Sequence, residues 1–286
     1  MQASFLSIYL MPMAIAIIMV GLGLSLTPAD FKRIFEYPKA VLIGLITQML
    51  LLPAICLFIA DFFQLEPAMA VGLMLLAAAP GGPSANLYSH MAGGDVALNV
   101  SLTALNSVLS IFSIAGIVNF SLAFFMQAEA YVPMQFQKVL EVCAMIITPI
   151  SLGMWIRHRY PGFAQRMEGK VKLISGLFLA LLIVLAGLKE IDHLVHDIKA
   201  VGAAALCFNL ACLFVGYFLP RVFKLPPKQA VAISMEVGIH NGSLAIYIAL
   251  SILNNGAMTI PAVVYSLIMF ITAAVFAYWS QKKLGN

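Results

Sequence analysis

Nine stretches of about 20 largely apolar residues, joined by short connections, restrict this chain more than any other feature. They lie near residues 5–27, 40–62, 68–92, 95–120, 135–156, 171–189, 200–220, 228–253 and 258–281. A helix of that length just crosses a hydrocarbon core of about 30 Å. In lipid every backbone N–H and C=O must find its partner inside the protein, so a helical bundle is the fold these stretches can make. The side chains agree: 62% of the 286 residues are hydrophobic and only 10% are charged, whereas a soluble domain carries roughly a quarter charged residues. The expected fold class is therefore an all-α polytopic membrane protein with nine transmembrane helices, forming one domain over residues 1–286. The first stretch has no basic leader and no small-residue cleavage site, so it reads as a true span and not as a signal segment.

The distribution of scarce charge tests this count. Of sixteen Lys and Arg residues, thirteen fall in connections of one parity. Lys32, Arg33 and Lys39 follow span one, and Arg157, Arg159, Arg166, Lys170 and Lys172 follow span five. Arg221, Lys224 and Lys228 follow span seven, and Lys282 and Lys283 end the chain. Basic residues gather on the cytoplasmic side, so the amino terminus is expected outside and the carboxyl terminus in the cytoplasm, in a cell inner (plasma) membrane. The net charge of +4 is then a consequence of topology and no sign of a nucleic-acid partner. Cys56, Cys143, Cys207 and Cys212 sit in apolar runs without metal-ligand spacing and read as small core residues. No cofactor and no required protein partner is implied.

Laid on itself at one offset of 160 residues, the sequence matches Lys39-Ala40-Val41 to Lys199-Ala200-Val201, Ala70-Val71 to Ala230-Val231 and Gly82 to Gly242. The offset pairs span one with six, two with seven, three with eight and four with nine. Five spans separate each pair, so the two halves enter the membrane in opposite directions, as in the inverted repeats of secondary transporters. Spans three and eight each carry a helix break near mid-membrane, at Pro80-Gly81-Gly82-Pro83 and over Glu236–Ser243. Unwound backbone at that depth is tolerated where protein, water or ligand satisfies it. Paired breaks therefore point to a binding site.

Glu236 is the sharpest residue, since a carboxylate at the centre of a span costs about 2.5 to 3.5 kcal/mol on insertion scales. A bound cation, a transferable proton or a hydrogen-bond network would offset that. Gln48, Ser84, Asn86, Asn99, Thr103, His240 and Asn241 are the polar residues able to join it. Neutral oxygens with one carboxylate suit a hard cation such as sodium. His240, four residues on, leaves proton coupling through Glu236 and His240 as the alternative. An intramembrane enzyme using Ser84 or His240 is a remote third reading, since no Ser/His pair shares a motif. A channel fits a single buried carboxylate and closed breaks less well than occluded binding.

Taken together, Gly21-Leu22-Gly23-Leu24-Ser25-Leu26 with Pro28 and Asp30-Phe31, then Pro80-Gly81-Gly82 with Asn86, then Glu236-Val237-Gly238 with Asn241 resemble the bile acid:sodium symporter family in its nine-helix form. The resemblance runs from about Ile18 to Trp279. It implies a panel of spans one, five and six and a core of spans two to four and seven to nine, with the broken helices crossing. It implies one sodium near Asn86, Thr103 and Glu236, with Asn99 at a ligand position, and a second near Gln48, Glu236, His240 and the carbonyls of Val237 and Ile239. An organic anion, bile-acid-like or a small carboxylate, would be imported by alternating access, bound near Ser84, Asn86, His240 and Asn241 at the amino ends of the half-helices. Three positions depart from the family pattern. Ala85 stands for a hydroxyl residue, Asn99 for a serine, and His240 for a glutamine, which replaces an oxygen ligand by nitrogen.

Overall fold

The computed structural model describes residues 11–126, 136–167, 169–171, 174 and 191–284. Proline stands at the first or second position of several of its helices, because the first turn has no use for the missing N–H. The helices are α1 (Met11–Ser25), α2 (Pro28–Lys32), α3 (Pro38–Ile46), α4 (Leu52–Phe62), α5 (Pro67–Ala78), α6 (Ser84–Met91), α7 (Val96–Phe125) and α8 (Phe136–Arg159). After them come α9 (Ile191–Val222), α10 (Pro227–Gly238), α11 (Gly242–Tyr247) and α12 (Ile260–Leu284). A π-turn at Thr47–Leu51 joins α3 to α4, and another at Ile248–Ile252 extends α11.

Among the described residues, five helices are long and apolar enough to cross a membrane: Pro38–Phe62, Val96–Phe125, Gln137–Arg159, Val201–Val222 and Ala257–Lys283. A sixth arises if Ile15–Ser25 and Pro28–Phe35, bent by 70° at their junction, are one span. That bend is built by the Pro28–Asp30 motif. The Asp30 carboxylate accepts from the Thr27 amide and hydroxyl, both at 2.7 Å, and from Arg33 at 2.7 Å. Expected spans three and eight are each interrupted, α5 from α6 and α10 from α11, at the two predicted breaks. Expected span six, 171–189, falls almost wholly outside the described residues, as does the start of span one.

Large apolar side chains cover the outside, with Phe58, Phe112, Ile271 and Val275 each more than 60% exposed. On a chain this poor in charge, such a surface belongs in lipid. Inside, Phe208, Tyr265, Leu73 and Met74 are buried in one core. Two of the four cysteines, Cys56 and Cys212, are buried as expected; Cys143 is half-buried and Cys207 is exposed on α9, where an apolar thiol is at home against lipid. Several connections share one end of the bundle. The Asp95 amide donates to the Lys228 carbonyl at 2.9 Å, Ser280 donates to Ala92 at 2.9 Å, and Gln281 donates to Met91. Lys283 lies over the Tyr217 and Trp279 rings.

Helix α1 packs along α8 through facing glycines. A Cβ built on Gly153 would meet the Val20 carbonyl and come within 2.8 Å of the Gly23 Cα. Glycine at this crossing lets the two backbones touch, the usual device for helix pairs in lipid. Gly153→Leu is expected to lower stability by about 1–3 kcal/mol through overpacking. Gly116→Leu, where an added Cβ meets nothing within 4 Å, should leave it nearly unchanged. Thermal unfolding of both variants in detergent, followed by intrinsic fluorescence, measures the difference.

Candidate cation site at the crossing of two broken helices

Helix α5 ends at Ala78 because Pro80 cannot continue the ladder, and α10 ends at Gly238. The two freed segments run antiparallel across each other. The Gly82 amide donates to the Ile239 carbonyl at 2.7 Å, and the Asn241 amide donates to the Pro80 carbonyl at 2.9 Å. Backbone released by one break is thus satisfied by the other. Gly81 lies flush against Glu236, and a Cβ there would run into the carboxyl group.

Glu236 is fully buried in the last turn of α10. Its Oε2 accepts from the Thr103 hydroxyl at 2.6 Å and its Oε1 accepts from Asn106 Nδ2 at 3.0 Å. The Gly81 backbone also hydrogen-bonds the carboxyl. Asn99, one turn before Thr103 on α7, donates to the Ala232 carbonyl at 2.7 Å, one turn before Glu236 on α10. Each of these residues is buried. On the helices that pack together here, three buried amide oxygens have no hydrogen-bond partner among the described residues: Asn86 Oδ1 on α6, and Asn99 Oδ1 and Asn106 Oδ1 on α7. Buried acceptors without donors are costly. A cation satisfies acceptors and carboxylate together.

The other candidates lie apart from the carboxyl group. Gln48 donates from Nε2 to the Ala77 and Ala79 carbonyls, at 3.2 and 3.0 Å, and so caps the end of α5. Val237 and Ile239 are buried in the α10 break, and the Ile239 carbonyl receives the Gly82 amide. His240 places Nδ1 3.3 Å from the Ala79 carbonyl and Nε2 3.8 Å from Cys212 Sγ, with its ring stacked on Phe208. No hydrogen bond joins it to Glu236 among the described residues. Asn241 caps α11 by accepting from the Leu244 amide at 3.1 Å, and its Nδ2 is buried without a partner. Ser84 is half-buried at the start of α6.

Asn106, Asn209 and Tyr265 are absent from the expected set. Asn209 Nδ2 and the Tyr265 hydroxyl both donate to the Gly238 carbonyl at 3.0 Å, capping α10 as Gln48 caps α5. The signal for Asn106 is present in the sequence: Asn99, Thr103, Asn106 and Ser110 repeat at the spacing of one helix face. Asn209 and Tyr265 have no such signal, since each is one polar atom in an apolar run.

Comparison with known proteins decides the family. The profile of the Sodium Bile acid symporter family matches residues 12–197. The chain belongs to the sodium bile acid symporter family. The P3 protein of Homo sapiens is 33% identical over 229 residues, covering 75% of this chain and 45% of its own length. The chain thus spans less than half the length of that relative. The uncharacterized sodium-dependent transporter YocS of Bacillus subtilis is 25% identical over 284 residues, covering 98% of this chain and 84% of its own. Sodium/bile acid cotransporter 4 of Mus musculus is 28% identical over 274 residues, covering 92% and 61%. The family and the names of the latter two relatives point to transporters, not enzymes.

The bond from Thr103 to the buried carboxyl group is measurable. Thr103→Val keeps the side chain's shape and removes the donor, and is expected to destabilise the protein by about 1–3 kcal/mol. In a double-mutant cycle with Glu236→Gln, the two costs should fail to add by more than about 0.5 kcal/mol. Additive costs in thermal unfolding would break the assigned pairing.

Proposed function

We propose that this chain is a sodium-coupled secondary transporter that imports an organic anion by alternating access. The observation that carries the reading is a fully buried carboxyl group at the crossing of two broken helices, with three buried amide oxygens that have no partner among the described residues on the helices packed there. Sodium is a hard ion that takes such oxygens in place of water. Glu236 supplies the charge, and Asn86, Asn99 and Thr103 supply neutral oxygens. The sodium-dependent relatives support this choice.

The architecture proposed around the site is nine spans in inverted halves, with the amino terminus outside and the carboxyl terminus in the cytoplasm of a cell inner membrane. Element bounds support the repeat. Helices α5 and α10 are each 12 residues long and begin 160 residues apart, at Pro67 and Pro227, and α4 and α9 end 160 residues apart, at Phe62 and Val222. The packing of α1 on α8 supports a panel that moves against the core. The anion is assigned to the seam between them, near Ser84, Asn86 and Asn241, whose buried Nδ2 is a donor without a partner. Its chemistry is an apolar body with one carboxylate, bile-acid-like or smaller.

Proton coupling through Glu236 and His240 is disfavoured by the separate hydrogen-bond partners of the two side chains. Uptake of a bile acid and of small carboxylates into proteoliposomes tests both readings. An inward sodium gradient is expected to drive accumulation, and Glu236→Gln to abolish it while the protein still elutes as a folded species. Accumulation driven by a pH gradient and indifferent to sodium would replace this reading by the proton-coupled one.

A further inference from the structure

The crossing has two sides, and they differ in what they lack. On the α7 side, formed by the packed helices α6, α7 and α10, are a carboxyl group and three acceptor oxygens without a partner among the described residues, Asn86 Oδ1, Asn99 Oδ1 and Asn106 Oδ1. On the side facing α4, α9 and α12, several helix-end carbonyls already have side-chain donors. Ala77 and Ala79 receive Gln48 Nε2, Ala79 also has His240 Nδ1 at 3.3 Å, and Gly238 receives Asn209 Nδ2 and the Tyr265 hydroxyl. The Ile239 carbonyl receives the Gly82 amide. A carbonyl only accepts, so Nδ1 of His240 carries the proton, and Nε2 turns a nitrogen lone pair toward the Cys212 thiol 3.8 Å away. Gln48 Oε1 is the one side-chain oxygen left over among these groups.

We infer that the transporter couples to a single sodium ion, held on the α7 side with Asn106 as an additional ligand, and that His240, Gln48, Asn209 and Tyr265 are fixed internal donors in place of a second ion. This rests on the sodium-coupled reading and makes it quantitative. A hard cation needs several oxygens around it. The side chains of the α7 side offer two carboxylate oxygens, one hydroxyl and three amide oxygens, whereas those of the far side offer one amide oxygen and a ring nitrogen whose neighbour is sulfur. Donors that already sit on carbonyls also repel a cation brought to the same place. Both polar atoms of the Asn106 amide then have work: Nδ2 orients the carboxylate at 3.0 Å, and Oδ1 is free for the ion. With one sodium per monovalent anion, each cycle moves no net charge.

Equilibrium binding of radioactive sodium alone to purified protein in detergent tests the inference. The expected result is saturation at one ion per chain with a Hill coefficient near one, lost in Glu236→Gln. Asn106→Leu is expected to weaken the sodium affinity about tenfold or more without changing the number of sites, whereas Ser110→Ala, one turn away, leaves it unchanged. Two ions per chain, or a Hill coefficient well above one, overturns the single-ion assignment and leaves sodium coupling standing. An unchanged affinity in Asn106→Leu overturns the ligand role. No sodium bound at all, with uptake that ignores sodium, brings down the transport reading and this inference together.

Discussion

Two backbone hydrogen bonds, from Gly82 to Ile239 and from Asn241 to Pro80, are the constraint on which the rest of the site depends. A helix broken inside lipid exposes amides and carbonyls that have no water to turn to, at several kcal/mol for each group left alone. Here one break answers the other. The exchange requires the segments to approach closely, which puts Gly81 against Glu236 with no room for a side chain. It also sets the register of α10 on α7, so that Glu236 meets Thr103 and Asn106 and, a turn away, Ala232 meets Asn99. The remaining helix-end carbonyls are closed by Gln48 on one half and by Asn209 with Tyr265 on the other.

Magnitudes explain why the carboxyl group wants more than these donors. Placing it at mid-membrane costs about 2.5 to 3.5 kcal/mol on insertion scales, and hydrogen bonds to a charged group return about 1.5–3 kcal/mol each. Thr103, Asn106 and Gly81 can therefore hold Glu236 in a folded protein. They do nothing for Asn86 Oδ1, Asn99 Oδ1 and Asn106 Oδ1, each of which is buried without a donor at about 1–3 kcal/mol. The site is stable enough to form and too poor in positive charge to be at rest. A cation removes that shortfall in one step.

What sequence reasoning could see followed from chemistry that lipid makes expensive. Charge scarcity exposed the spans, Pro80 and the glycines of both breaks marked the interruptions, and Glu236 stood out as the one acidic residue of its span. Thr103 was visible as a neighbour of Asn99 on one helix face, and Asn106 follows from the same spacing carried one turn further. Partners that depend on which helices touch were not visible. Gln48 reads as an ion ligand in sequence; its Nε2 caps α5, a role that sequence did not show, and its Oε1 has no partner among the described residues. His240 reads as a companion of Glu236, yet α10 ends at Gly238, so the four-residue spacing that would align them no longer follows one helix and the ring goes to Ala79, Cys212 and Phe208. Asn209 and Tyr265 act through a carbonyl across the bundle, which no local pattern encodes.

The placement of these groups also bears on how an ion could drive a substrate. All ligands assigned to sodium lie on α6, α7 and α10, which pack together, and α1 and α8 contribute none. An ion that touches one body alone has no differential affinity for two arrangements of that body against another, and so cannot by itself shift the equilibrium between them. In the proposed cycle the coupling runs through the packing of α7 on α8 and through the break. Asn241 begins α11, α11 is where the core touches α1, and the π-turn that extends α11 touches α8. Tightening the crossing around an ion fixes the amino end of α11 and the orientation of Asn241, which caps that end. Sodium then prepares the anion's position within the core, and the anion, lying between core and panel, is the ligand that distinguishes one arrangement from the other.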